Sequence, residues 1–138
     1  MSRNNNLSGG LFASGKPQPL TIKETPLSAQ IKEYLDNRNI WNERLNSGKI
    51  QTMRGNWITL CEKGTPDRLC LIRGQAIFIE VKMRGEKPSS DQQTKHDELR
   101  RNGAIVIIAD DYSHFVNQFS AIRAAIVEAR KGDVNLYD

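Results

Sequence analysis

Residues 64–82 read GTPDRLCLIRGQAIFIEVK, and they constrain the fold more than any other stretch. Two apolar runs, Arg68–Ile72 and 75–82, are separated by nothing but the dipeptide Arg73-Gly74. Runs rich in β-branched and large apolar residues around so short a connection predict an antiparallel hairpin. The turn sequence Gly64-Thr65-Pro66-Asp67 marks where its first strand begins. Side chains alternate along a strand, so Glu80 and Lys82 share a face, about 7 Å apart along it. Pairing the runs sets Asp67 opposite the end of the second strand. The hairpin thereby gathers Asp67, Glu80 and Lys82 into one cluster.

The rest of the chain supplies the layers around that hairpin. Thr25 followed by Pro26 is a helix start, and Leu27, Ile31, Tyr34 and Leu35 then recur at helical spacing. This predicts an amphipathic helix over 26–37. Residues 40–45 read as a short strand ending in the turn Asn46-Ser47-Gly48, and 56–61 as a weaker one. Beyond the polar segment MRGEKPSS, Ser90 with Asp91 is a capping signal for a helix running to about Asn102, where Gly103 stops it. Residues 104–109, AIVIIA, form a continuous apolar run, the mark of a strand covered on both faces. A last helix over 113–131 carries Phe115, Phe119, Ile122, Ile126 and Ala129 on one stripe. The order α-β-β-β-β-α-β-α predicts an α/β fold, a mixed sheet with helices packed on it.

At 138 residues the chain is long enough for one domain with a real core. Residues 1–20, rich in Asn, Gly, Ser and Pro, read as a flexible tail, leaving 21–138 as the domain. No run approaches the ~20 apolar residues of a membrane span, and no apolar signal-peptide core is visible. The net charge of +4 suits a polyanionic partner without requiring one. Cys61 and Cys70, the two cysteines, lack CxxC spacing and read as reduced thiols of a cytoplasmic protein. A structural zinc site takes four Cys or His ligands, and Cys61, Cys70, His96 and His114 are the whole supply, so such a site is not expected. A metal would have to be held by oxygen.

The 67/80/82 cluster is suited to that task. Two carboxylates meeting at a strand end repel unless a cation lies between them. Their hard oxygens suit Mg²⁺ or Mn²⁺. A divalent ion acidifies water into a nucleophile, and a nearby lysine can position or deprotonate it. Such a set could hydrolyse a phosphodiester. The alternative is plainer: Glu80 and Lys82 as a surface ion pair and Asp67 as a turn residue.

The order of short motifs resembles the PD-(D/E)xK nuclease superfamily, its VRR-NUC branch in particular. Glu24 precedes the first helix, RLNSG occupies 44–48, and Gly64-Thr65-Pro66-Asp67 and Glu80-Val81-Lys82 follow. Ser89-Ser90-Asp91-Gln92 then opens a helix with Leu99 and Gly103 beyond it. The likeness spans roughly 24–115 and implies a restriction-endonuclease-like fold. It further implies that Asp67, Glu80 and the Val81 carbonyl bind Mg²⁺ or Mn²⁺. By the same resemblance Lys82 holds the attacking water or stabilises phosphorane charge, and Gln92 supports the site. Glu24 completes it, with Glu33 as the fallback.

Lys87, Lys95, Arg100 and Arg101 flank the site and are candidate DNA contacts, as Arg84 and Lys49 are, although a solvated face explains all of them equally well. His96, one turn after Gln92, can reach the site. Trp41 and Trp57 are expected in the core or an interface rather than stacked on bases. The resemblance implies a small standalone nuclease of phage or mobile-element type, in bacterial or phage-infected cytoplasm. It implies a homodimer acting on branched or junction DNA. Rival readings are a nicking or exonuclease subunit of a larger machine, or a nucleic-acid-binding module of this fold without catalysis.

Overall fold

The computed structural model describes residues 24–133. The expected tail over 1–20 lies outside them, as do 21–23 and 134–138.

Thr25 caps helix α1 (Pro26–Asn37), its side chain accepting from the Ser28 N–H at 3.2 Å, with Pro26 in the first turn. Strands β1 (Trp41–Arg44), β2 (Lys49–Gln51), β3 (Trp57–Thr59), β4 (Arg68–Ile72) and β5 (Gln75–Val81) follow. Helix α2 (Ser90–Arg101), β6 (Ile105–Ala109) and α3 (Tyr112–Ala129) complete the order, with a short 3₁₀ turn over Lys131–Asp133. Strand β2 is an addition to the expected order. Its three residues, Lys-Ile-Gln, hold a single apolar side chain, too little to read a strand from. The cap of α2 is Ser89 rather than Ser90 or Asp91, because Gln92 falls at the position that closes a capping box with Ser89. Asp111 likewise caps α3 and starts it at Tyr112.

Four strands form a mixed sheet in the order β1-β4-β5-β6. Strand β4 is antiparallel to both β1 and β5, whereas β5 and β6 run parallel. That parallel pair needs a crossover, and α2 supplies it. Side chains on one face (Cys70, Ile72, Ile77, Ile79, Ile107 and Ala109) pack with Ile31, Tyr34 and Leu35 of α1 and Phe115, Phe119 and Ile126 of α3. Tyr34 meets Phe115 and Phe119 edge-on at 5.7 and 5.9 Å, which joins the two helices. Burial pushes the Cys70 thiol up to about 12, so it is a packing group rather than a nucleophile. Ala129, expected on the α3 stripe, is exposed. Helix α2 covers the opposite face, where His96 is its buried residue. Strands β2 and β3 form a separate two-stranded sheet outside these layers. No helix among the described residues is long and apolar enough to cross a membrane.

Candidate active site

The β4–β5 register decides the geometry. Arg68 pairs with Ile79, so Asp67, one residue earlier, stands across from Glu80, one residue later. Directly opposite residues of an antiparallel pair share a face, and Lys82 follows Glu80 on it. This is the face covered by α2. Asp67 Oδ2 accepts from the Val81 N–H at 2.7 Å, which fixes its carboxylate against β5. Lys82 continues the edge through its own N–H, donated to the Ala109 carbonyl at 2.8 Å.

Gly64 sets the approach of this turn to α2. Its φ is +91°, and a Cβ there would lie 2.4 Å from the Asp91 carbonyl oxygen. Only glycine can bring the Gly64-Thr65-Pro66-Asp67 turn so close to the start of that helix.

Glu80 is 2% exposed and His96 fully buried. Burial first, then a hydrogen bond and charge repulsion from Asp67, push Glu80 up to about 8, against a smaller opposing pull from Lys82. At neutral pH Glu80 therefore keeps its proton. His96 Nε2 lies 3.2 Å from Glu80 Oε1. Burial and the positive charges of Arg100 and Lys82 hold His96 below its ordinary value. In the tautomer with the proton on Nε2 the neutral ring donates to Glu80, and the buried Nδ1 has no partner among the described residues.

Two clefts flank this end of the sheet. One of about 280 Å³ is lined by Arg44, Asn46, Ser47, Lys49, Leu60 and Asp67, among others. The other, about 460 Å³, is lined by Leu27, Val81, Lys82, Met83, Arg84 and Asp110, among others. Asp67 and Lys82 are half-buried and line one cleft each, while the buried Glu80 lies between them in sequence register and lines neither.

Other candidate residues sit elsewhere or are engaged. Glu24 Oε1 accepts from Arg68 Nη2 and from Ser28 Oγ, each at 3.2 Å. Arg68 is 4% exposed and also donates to Asn42 Oδ1 at 2.7 Å. By strand alternation it occupies the face opposite Asp67, so Glu24 is tied away from the carboxyl pair. Glu33 is exposed on α1. Gln92 spends its side-chain oxygen on the Ser89 N–H at 2.9 Å, as a cap. Lys95 pairs with Glu62 and Glu98, and Arg84 with Asp111. Arg100 donates to the Val106 carbonyl at 3.3 Å, while Lys87 and Arg101 are exposed. Trp41 and Trp57, expected in the core or an interface, are 51% and 65% exposed. Arg68 went unassigned in the sequence, although a cation alternating with Cys70 and Ile72 signals a buried guanidinium in need of a carboxylate.

A divalent cation fits the donor set. Asp67 and Glu80 are hard oxygen donors held together across one pair of strands, at the expense of a retained proton. A cation in place of that proton removes their repulsion. Among the described residues no group of three or more His, Cys, Asp or Glu gathers as a metal site, so further donors would come from the backbone or from water.

No protein-family model matches the chain. A phage protein named "Putative nuclease p44", from Acyrthosiphon pisum secondary endosymbiont phage 1, is 38% identical over 63 residues. The match covers 45% of this chain and 68% of that protein. The chain therefore belongs to the family of this phage nuclease.

Proposed function

We propose that the chain is a divalent-metal-dependent DNA endonuclease of the PD-(D/E)xK type, with Asp67, Glu80 and Lys82 at its centre. The observation that carries the reading is the register that sets Asp67 across from Glu80, with Lys82 next on the same face. Mg²⁺ or Mn²⁺, when bound, supplies Lewis-acid charge and acidifies water. Asp67 and Glu80 would hold it with the Val81 carbonyl, and the Val81 N–H steadies Asp67 from beneath. Neutral His96 orients Glu80 by donating to Oε1. Lys82 brings an ammonium to the cleft edge, where it holds the attacking water or stabilises charge on the phosphoryl oxygens. Water oxygen forms the new bond to phosphorus, the P–O bond to the leaving sugar breaks, and that oxygen takes up a proton.

Branched or junction DNA is the proposed substrate and a homodimer the proposed assembly, since one site per chain must be paired to cut two strands. The test is cleavage of linear duplex, single strand, flap and four-way junction with Mg²⁺ or Mn²⁺. Metal-dependent cutting, strongest on branched forms and reduced about 10²–10³-fold in Lys82→Ala, is expected. Cutting that ignores the metal, or a variant as active as the parent, contradicts the assignment.

A further inference from the structure

The β2–β3 hairpin is unlike the rest of the molecule. Lys49 pairs with Thr59 and Gln51 with Trp57, which puts these four side chains on one face. All four are exposed, Trp57 at 65%. The connecting turn adds exposed Met53 and Arg54. From 44 to 61 the sequence holds Arg44, Lys49 and Arg54 and no Asp or Glu. Toward the hairpin's root, Lys49, Ile50 and Leu60 line the cleft that Asp67 also lines. The root is tethered there as well, because the Leu45 N–H donates to the Asp67 carbonyl at 2.7 Å.

We infer that the β2–β3 hairpin is the arm that grips a DNA strand beside the cleft, with Trp57 stacking on a base and Lys49 and Arg54 on phosphates. The inference rests on the proposed reading of Asp67 as the cutting site. An exposed indole among cations and amides matches a strand, which offers both a π-face and regular negative charge. A second copy docked on this face about a two-fold axis would set cation against cation, with no carboxylate in the segment to offset them.

The Asp67→Asn chain, unable to cut, is the parent for the test. Binding of a fluorescein-labelled oligothymidine strand is followed by anisotropy over a salt series. Adding Trp57→Ala is expected to weaken binding about 5- to 150-fold, the range for loss of one stacked base. Adding Lys49→Ala and Arg54→Ala together should reduce the salt slope by about 1.4, the value for two phosphate contacts. In a Trp41→Phe background Trp57 is the sole tryptophan, and its emission should be quenched on binding.

Unchanged affinity in both variants, unquenched emission, or a parent that binds no strand overturns the inference. So does a dimer, seen by sedimentation, that Trp57→Ala dissociates while each chain keeps its affinity for the strand. A parent that grips the strand through Trp57, when the chain with Asp67 intact cuts nothing with Mn²⁺, removes the nuclease reading and leaves the arm. Conversely, unaltered KM and kcat after Trp57→Ala in an active chain remove the arm alone.

Discussion

The β4–β5 pair and the β2–β3 pair are both antiparallel hairpins, but different forces hold them. Strands β4 and β5 lie inside the sheet between two layers of helices, so burial dictates which way each side chain points. Arg68, Cys70, Ile77 and Ile79 go to the α1–α3 side, and Glu80 goes to the His96 side. Among the described residues no helix layer covers β2 and β3, and an isolated two-stranded pair is marginal by itself. Backbone hydrogen bonds at the root hold them instead, from Gly48 N to the Cys61 carbonyl at 3.1 Å and from Cys61 N to the Asn46 carbonyl at 2.8 Å. Burial thus fixes the carboxyl pair, while tethering leaves the arm's side chains in solvent. A site that must keep two repelling groups together needs the first arrangement. A surface that meets a long polymer can use the second.

Substitutions can break or sharpen that contrast. The largest expected effect is on the buried side: Phe115→Ala, emptying a fully buried position, should cost about 3–5 kcal/mol in urea unfolding. A loss near zero would mean that the α1–α3 layer does not hold the sheet.

Next comes His96→Leu, which removes the donor to Glu80 Oε1. Partners of this kind orient metal-binding carboxylates, so Mn²⁺ affinity by calorimetry should fall about 10- to 100-fold. His96→Gln, which keeps an N–H donor, should recover most of it. Equal affinities in all three proteins would make His96 a packing residue.

A pH effect should follow from Glu80. Its ordinary value is 4.5 and its value in the fold about 8, so the folded state holds a proton that the unfolded state releases. The stabilisation is complete below about 4.5 and is lost as pH rises through about 8. Thermal melts of metal-free protein in a chelator should show the midpoint falling over that window. Glu80→Gln should flatten the decline. A midpoint that rises with pH in the parent, or the same slope in both proteins, contradicts a proton held on Glu80.

The smallest effect is expected on the arm. Trp57→Ala should alter stability by no more than about 0.5 kcal/mol, the usual range for an exposed position. A larger loss would place Trp57 against a surface of the protein itself.

The same contrast explains what could be read from the sequence. Thr25-Pro26 with the Ile31, Tyr34 and Leu35 stripe specified α1, and the short Arg73-Gly74 link specified the central hairpin, because local chemistry and burial agree there. Strand β2 was not legible, since Lys49–Gln51 holds one apolar residue, Ile50, opposite Ile58, and a single residue sets no period. The meeting of Asp67 and Glu80 could be read, because register follows from a two-residue turn. The hydrogen bond from His96 to Glu80 depends on how α2 rotates over the sheet, and helical periodicity does not set that rotation. Glu24 and Gln92 illustrate the same limit. Their partners, Arg68 and the Ser89 backbone, are chosen by packing and capping.

The proposed site requires Asp67 and Glu80 to form together a seat for one divalent cation. Calorimetric titration of the intact chain with Mn²⁺ at pH 8, beside the Asp67→Asn chain, tests it most directly. One ion should bind per chain in the parent and none at matched concentration in the variant. Absence of binding in the parent, or equal binding in both, would contradict it.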